Sequence, residues 1–530
     1  MLLALLAPPT ADLVVRHARV WTDGHLTKAT ALAVRSGQIV YIGTNARPYI
    51  GKSTKIIDAG NRIVTPGVID SHTHVAESAA SFKYDLDLRP AESKADFIKR
   101  VQAWNAKLPA GAWLTGGGWS VESYPDKSSP SRAWIDAVTG DRPAVLTRMD
   151  GHSLLANSAA LRMAGITRDT KDPQGGSVER GPDGEPTGLL IDTAMGLLPV
   201  PAPTPEQMRQ GLLAVVKEAN RHGVTAVSDV VGRFQLPILD WYAKRSDRSL
   251  RFALYRRIDK ADDVNNDGPR VAGWLQARGF KLYMDGSLGS RSAYMAAPFD
   301  KPLPTQSKEW RGLPRPGAKN GEYRRIMAAA ARENLQVIVH AIGDQANHDL
   351  LNLFAEVPGI EHRRFRVEHV QHLLPRDIPR FAQWGVIPSM QPYHKADDGR
   401  YCEEVIGTAR SRTSYAFRDL VRSGAKLAFG SDFDVVTIDP WVGIHTAVTG
   451  EIMGGKPWMT HQNLSFDQAL DAYTRGGAYA MFREKDLGRL AKGYRADFVI
   501  LSGNPYQKNG TKTLRPVATY VDGRRVFGSP

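Results

Sequence analysis

The 530-residue chain carries a single cysteine, Cys402. That excludes an internal disulfide and any thiolate cluster around zinc, so a metal site here needs histidine and carboxylate ligands. It also leaves the redox compartment open. No run of apolar residues reaches the roughly 18 to 20 positions that a bilayer crossing needs, so no membrane span is expected. Charge of one sign is nowhere concentrated. Lys and Arg outnumber Asp and Glu by 69 to 55, a net charge of +14, but the basic residues stand singly or in pairs, so no nucleic-acid partner is expected. Hydrophobic residues at 42% and charged residues at 23% are the proportions of a soluble globular chain. The opening MLLALLA, followed by PPTAD, resembles the tail of a signal peptide without its basic leader. A frayed end ahead of the first strand explains it equally well, so a cytoplasmic and a periplasmic or secreted protein both remain open.

At about 150 residues per domain, the length allows roughly three domains or one large barrel with accessories. Residues 13–64 alternate apolar and polar positions through LVVRHARVW, ALAVRSGQIVYIG and KIIDAGNRIV, and ADFVILSG and VATYVDGRRVF repeat the style at the other end. Both stretches read as short antiparallel strands joined by Gly and Asn turns. Residues 12–65 and 486–530 are therefore expected to form one small β-sandwich-like domain from both termini. The main domain, 66–450, lies between them, and 451–485 is a helical return segment.

Within the main domain short apolar runs alternate with helix-like stretches such as 205–223 and 322–335. Eight candidate strands are counted: 63–70, 143–149, 224–230, 279–285, 336–341, 365–370, 385–390 and 425–431. Strands alternating with helices imply parallel pairing, and eight imply a distorted (β/α)8 TIM barrel. The uneven spacing predicts insertions around 75–142 and 151–222 that cover the barrel mouth.

The site of such a barrel lies at the carboxyl ends of its strands. Strand one ends in Asp70-Ser71-His72-Thr73-His74, strand four contains Lys281 and ends at Asp285, strands five and six end at His340 and His369, and strand eight ends at Asp432. Histidines two apart on an extended segment project from one face and can grip one ion; a polar turn is the plainer explanation of the same pair. A lone histidine ending an apolar strand is more often a core residue than a ligand. Two on consecutive strands, beside the first pair and a strand-eight carboxylate, make coincidence a poor account. Asp432 follows Ala428-Phe429-Gly430-Ser431 and would otherwise cap the next helix. Lys281, in GFKLYMDG, either faces outward to solvent or is buried and converted by carbon dioxide to a carbamate.

Taken together, PGVIDSHTHV, DGHSLLANSAAL, KLYMDGSLGSR, VIVHAIGDQA, RVEHVQHL and LAFGSDFDVV resemble the metal-dependent amidohydrolase superfamily, in the branch similar to N-substituted formamide deformylase. The resemblance runs along nearly the whole chain. It implies one or two Zn2+ ions, with His72 and His74 on the more buried metal, Lys281 as a carboxylated bridge, His340 and His369 on the second metal, and Asp432 as metal ligand and proton shuttle. It also implies a substrate contact from His152. The expected reaction is hydrolysis of a non-peptide carbon–nitrogen bond in a small amide, formamide or carbamate; an ester, lactone or phosphoester is the alternative, and a non-catalytic binding barrel the remaining one. Trp119 and Tyr393 are candidate aromatic walls for an apolar N-substituent. A homo-oligomer is neither required nor excluded.

Overall fold

β-Branched runs that are buried on both faces pair in parallel, and here they build a barrel. The structure, a computed structural model, describes residues 10–121, 124–149, 151, 153–174, 176–264, 269–271, 273–303 and 306–529. The barrel strands in chain order are β1 (Val68–Thr73), β2 (Val224–Val231), β3 (Arg251–Arg257), β4 (Leu275–Tyr283), β5 (Gln336–Ala341), β6 (Arg366–His369), β7 (Ile387–Met390) and β8 (Ala428–Phe429). Each pairs in parallel with the next. The ring is closed by short contacts beyond the end of β8: Asp432 N–H donates to His72 O at 2.8 Å, and Thr73 bridges Phe433 in parallel. This is the TIM barrel expected from the sequence.

Two of the strands counted from the sequence differ. Residues 143–149 contain a strand, Ala144–Arg148, but it pairs with Leu114–Trp119 and Ser153–Ala156 in a separate sheet. The missed barrel strand is β3, RFALYRR, whose arginines break the apolar pattern. Those charges are accommodated by partners distant in sequence: Arg251 Nη2 lies 2.6 Å from Asp522 and 3.3 Å from Asp497. An apolar run reports burial, not which sheet it joins.

The chain divides into two units, residues 1–77 with 215–530, and residues 78–214. In the first, strands from both termini form two sheets beside the barrel. One runs in the order 38–43, 31–35, 13–16, 55–58; the other runs 524–528, 516–521, 498–501, 63–66, 19–22, 25–26. Their inner faces share one core, with Leu13, Val15, Leu32 and Val34 against Val64, Phe498, Ile500 and Tyr520. The Phe498 and Tyr520 rings stack at 4.4 Å. Gly67 separates the last terminal strand of this stretch, Ile63–Pro66, from β1; a Cβ there would lie 2.3 Å from Thr225 Oγ1.

The second unit holds a six-stranded sheet with its own core of Leu86, Phe97, Leu114, Trp119, Tyr124, Trp134 and Leu146. Trp119 is 2% exposed and its indole N–H donates to Leu146 O at 2.7 Å. The expectation that Trp119 walls a substrate pocket is thus corrected: the ring is committed to this core. No helix among the described residues is long and apolar enough to cross a membrane.

Candidate metal centre

The barrel brings the sequence-predicted ligands to one place. One ligand atom from each of His72, His369 and Asp432 lies within 4.8 Å of the others. His72 Nε2 is 3.5 Å from Asp432 Oδ1 and His369 Nδ1 is 3.9 Å from Oδ2. His74 Nε2 approaches the same carboxylate, 3.3 Å from Oδ1. The His340 ring packs on that of His369 with centroids 4.4 Å apart, and its Nε2 is 3.1 Å from Gly286 O, so Nδ1 keeps the lone pair. Lys281 is buried and places Nζ 3.3 Å from His72 Nε2. His152 lies outside the described residues.

The backbone geometry that aims these groups is costly for non-glycine residues. His369 has φ +74° and Asp432 φ +62°, both left-handed, at the ends of β6 and just beyond β8. Buried carboxylates brace the same strand ends. Asp70 accepts from His72 N–H (3.1 Å), Ser431 N–H (2.9 Å) and Ser431 Oγ (2.6 Å), which ties β1 to the turn that carries Asp432. Asp229 on β2 accepts from Val75 N–H (2.6 Å) and Ala76 N–H (3.1 Å), holding the chain just after His74. Asp285 accepts from Ile342 and Gly343 N–H (3.0 and 2.8 Å), fixing the exit of β5 after His340. Burial lifts each of these three carboxyls to about 7. The GSLGSR run following Asp285 is a self-satisfied turn: Ser287 N–H donates to Ser292 Oγ and Ser292 N–H to Ser287 O.

Two further carboxylates were not anticipated. His72 Nδ1 is 2.6 Å from Glu368 Oε2, and Glu368 is gripped by Arg366 through Nε (2.8 Å) and Nη2 (3.1 Å). Arg366 is itself held inside the barrel by Ser71 O, Ser228 Oγ, Tyr255 OH and Ser389 Oγ. At the mouth, His74 Nδ1 is 3.4 Å from Glu77 Oε2, and Glu77 Oε1 is 2.6 Å from Arg257 Nη2. Both histidines of the first pair therefore have Nδ1 turned to an arginine-clamped glutamate, which leaves Nε2 for the centre. Neighbouring letters carried the signal, Glu368 directly before His369 and Glu77 three residues after His74, but which histidine Glu368 serves is decided only by the fold.

The electrostatics suit a cation. Burial drives His72 down to about 4 and His340 to about 3, so both rings are neutral donors at pH 7. Burial would raise Asp432, but the His74 hydrogen bond and the surrounding imidazoles hold it well below the usual carboxylate range. Burial likewise opposes the charge on His74, yet hydrogen bonds to Asp432 and Glu77 outweigh it and raise the ring to about 9. Among the described residues His369 Nδ1 is buried with no hydrogen-bond partner. Such an orphaned atom is expensive, and its convergence with His72 and the Asp432 carboxylate is the arrangement that a divalent cation satisfies. The residues present fit a metal.

Other predicted positions fall nearby or elsewhere. Tyr393 is half-buried in the first turn of the helix Pro392–Asp398 that follows β7. Two other histidines, His348 and His372, which follow the strand-five and strand-six histidines in the chain, are occupied elsewhere, the first with Asp377 (3.1 Å) and the second with Ser414 Oγ (2.8 Å).

Comparison with known proteins agrees with this geometry. The amidohydrolase family profile matches residues 55–527. The chain is 36% identical to the Arabidopsis thaliana protein LONG AFTER FAR-RED 3, over 98% of this chain and 93% of that one. It is 24% identical to N-substituted formamide deformylase of Arthrobacter pascens, over 97% of this chain and 97% of that one. A crystal structure of a metal-dependent hydrolase from Pyrococcus horikoshii superposes with a TM-score of 0.77 at 25% identity, covering 94% of this chain and 99% of that one. A barrel whose strand ends gather His72, His74, His340, His369 and Asp432, together with a family match over nearly the full length, places this chain in the amidohydrolase family of metal-dependent hydrolases.

Proposed function

We propose that the protein hydrolyses a non-peptide carbon–nitrogen bond of a small amide, N-substituted formamide or carbamate. The observation that carries the reading is the buried carboxylate of Asp432 set among the imidazoles of His72, His74 and His369. His72, His74, His340, His369 and Asp432 would hold zinc, as one ion or two. When bound, the cation supplies Lewis acidity, which acidifies a water and polarises a carbonyl. Asp432, ionised at neutral pH, accepts a proton from the attacking water and returns it to the departing nitrogen. Amide hydrolysis requires that second transfer because an unprotonated amine leaves poorly; an ester does not. The similarity to an N-substituted formamide deformylase favours the same bond class.

Lys281 would act as a bridging carbamate. An ammonium at 3.3 Å from a ligand imidazole opposes a cation, whereas reaction of the neutral amine with carbon dioxide forms an N–C bond, releases one proton and leaves an anion in its place. Burial brings the Lys281 amine to about 8, within reach of the neutral form. His152 and Tyr393 are proposed as substrate contacts.

The test is zinc analysis of purified protein followed by a panel of N-benzylformamide, formanilide, acetanilide, phenyl carbamate and p-nitrophenyl acetate. Amide or formamide turnover that disappears with zinc and in His369→Ala is the expected result. Ester turnover with none on any amide or carbamate would overturn the bond class.

A further inference from the structure

A fifth imidazole borders the centre without belonging to its predicted ligand set. His394 sits in the first turn after β7, with its ring parallel to that of His369 at 6.1 Å between centroids and 9° between planes. Its Nε2 is 3.8 Å from Asp432 Oδ2, on the carboxylate oxygen opposite the one that faces His72 and His74. That Nε2 is buried and has no hydrogen-bond partner among the described residues. On the other side of the ring, Gln371 Nε2 lies 3.4 Å from His394 Nδ1. An amide nitrogen only donates, so Nδ1 must accept, and a neutral imidazole that accepts at Nδ1 carries its proton on Nε2. The ring thus presents an N–H, not a lone pair, to the space beside Asp432. A donor with no acceptor among the described residues, set next to the group that handles the proton, matches the requirement for stabilising charge that exists only during reaction.

We propose that His394 is a further catalytic residue, an Nε2–H donor to the oxygen that gains negative charge when the substrate carbonyl is attacked, and that Gln371 is the positioning residue that fixes its tautomer. The inference rests on the hydrolase reading above but not on which bond is cut. Gln371 is itself buried, and its backbone carbonyl accepts from Tyr415 N–H at 2.7 Å, which holds the main chain that carries the side-chain amide. The assignment separates His394 from the ligands in a testable way: a ligand must offer a lone pair at Nε2, and this ring offers a proton.

The experiment compares zinc-loaded wild-type protein with His394→Phe, His394→Gln and Gln371→Glu, on whichever compound of the panel the wild type turns over fastest. His394→Phe keeps the flat ring and removes the donor; kcat should fall by about 10²–10³, as for loss of one oxyanion donor, with zinc content unchanged. His394→Gln keeps an N–H and should recover part of that loss. Gln371→Glu turns the acceptor requirement around, protonates Nδ1 and leaves Nε2 bare, so kcat should fall comparably with His394 still in place. Nitrogen NMR of the labelled imidazoles should show the proton on Nε2 in the wild type, with metal or without it, and on Nδ1 in Gln371→Glu. Zinc loss in His394→Phe would make the residue a ligand and overturn the proposal. Equal kcat in wild type and His394→Phe, or an unprotonated Nε2 in the wild type, would overturn it as well. Should Gln371→Glu fail to fold, the two His394 variants and the wild-type tautomer still decide. Ester-only turnover by the wild type would sink the carbon–nitrogen reading while leaving this comparison intact.

Discussion

Replacing Glu368 by glutamine probes the part of the site that the sequence did not announce. The carboxylate and its Arg366 partner have side chains with no solvent exposure, so neutralising one leaves the other charge buried and uncompensated. Breaking such a pair costs about 3–5 kcal/mol of stability. The same substitution removes the anion 2.6 Å from His72 Nδ1. The new amide can still accept from Nδ1, but without its charge; turned the other way, it donates to Nδ1 and forces the proton onto Nε2, which removes the lone pair a cation needs. Loss of an outer partner of this kind weakens metal affinity by about 10–100-fold, or about 1.4–2.8 kcal/mol. Urea unfolding of the metal-free protein and zinc competition against a chelator read the two effects separately. Zinc held as tightly as by the wild type, together with an unchanged unfolding midpoint, would refute the reasoning that Arg366 and Glu368 orient His72.

Zinc binding should weaken as pH falls from 9 to 6, by up to about tenfold per pH unit, because His74 is raised to about 9 and must release its proton to become a ligand; chelator competition across that range checks it. His222 offers a stability test away from the metal. Burial disfavours its charge, but Asp439 and Glu218 raise it from 6.5 to about 9, so its stabilisation is fully present below pH 6.5 and disappears as pH rises through 9. The unfolding free energy of wild type minus that of His222→Gln should therefore shrink from roughly 3 kcal/mol at most toward zero between those limits. Asp432→Asn should lower kcat by about 10²–10⁴ and reduce zinc content, measured by steady-state kinetics and mass spectrometry. Gly430→Ala should separate β8 from β1, since its Cβ would stand 2.5 Å from His72 N and 2.8 Å from Asp70 Oδ1; a cost of about 1–3 kcal/mol and lowered zinc occupancy are expected from unfolding and metal analysis.

Much of this site was written in local sequence. His72 and His74, His340, His369, Lys281 and Asp432 each end or occupy a short apolar run, and in a parallel barrel the ends of such runs lie on one rim. Periodicity and spacing therefore marked these positions as candidates, and the family resemblance implied their ligand roles, without any knowledge of their distances. The paired terminal segments were legible for the same reason, as alternation survives however far apart the halves lie. What local letters do not encode is partnership across the fold. The run at 143–149 has the composition of a barrel strand and joins another sheet, while β3 hides its burial behind arginines, of which Arg251 is paired with Asp497 and Asp522, some 250 residues away. Trp119 looks like a pocket wall in sequence and is core in the folded unit. Glu368 precedes His369 in the chain yet serves His72, a residue on another strand that sequence order does not place beside it. The sequence by itself determined the kind of scaffold and which side chains are candidates to carry chemistry; the tertiary structure alone decided their partners, protonation and aim, since those depend on charges and dipoles brought together only when the barrel closes.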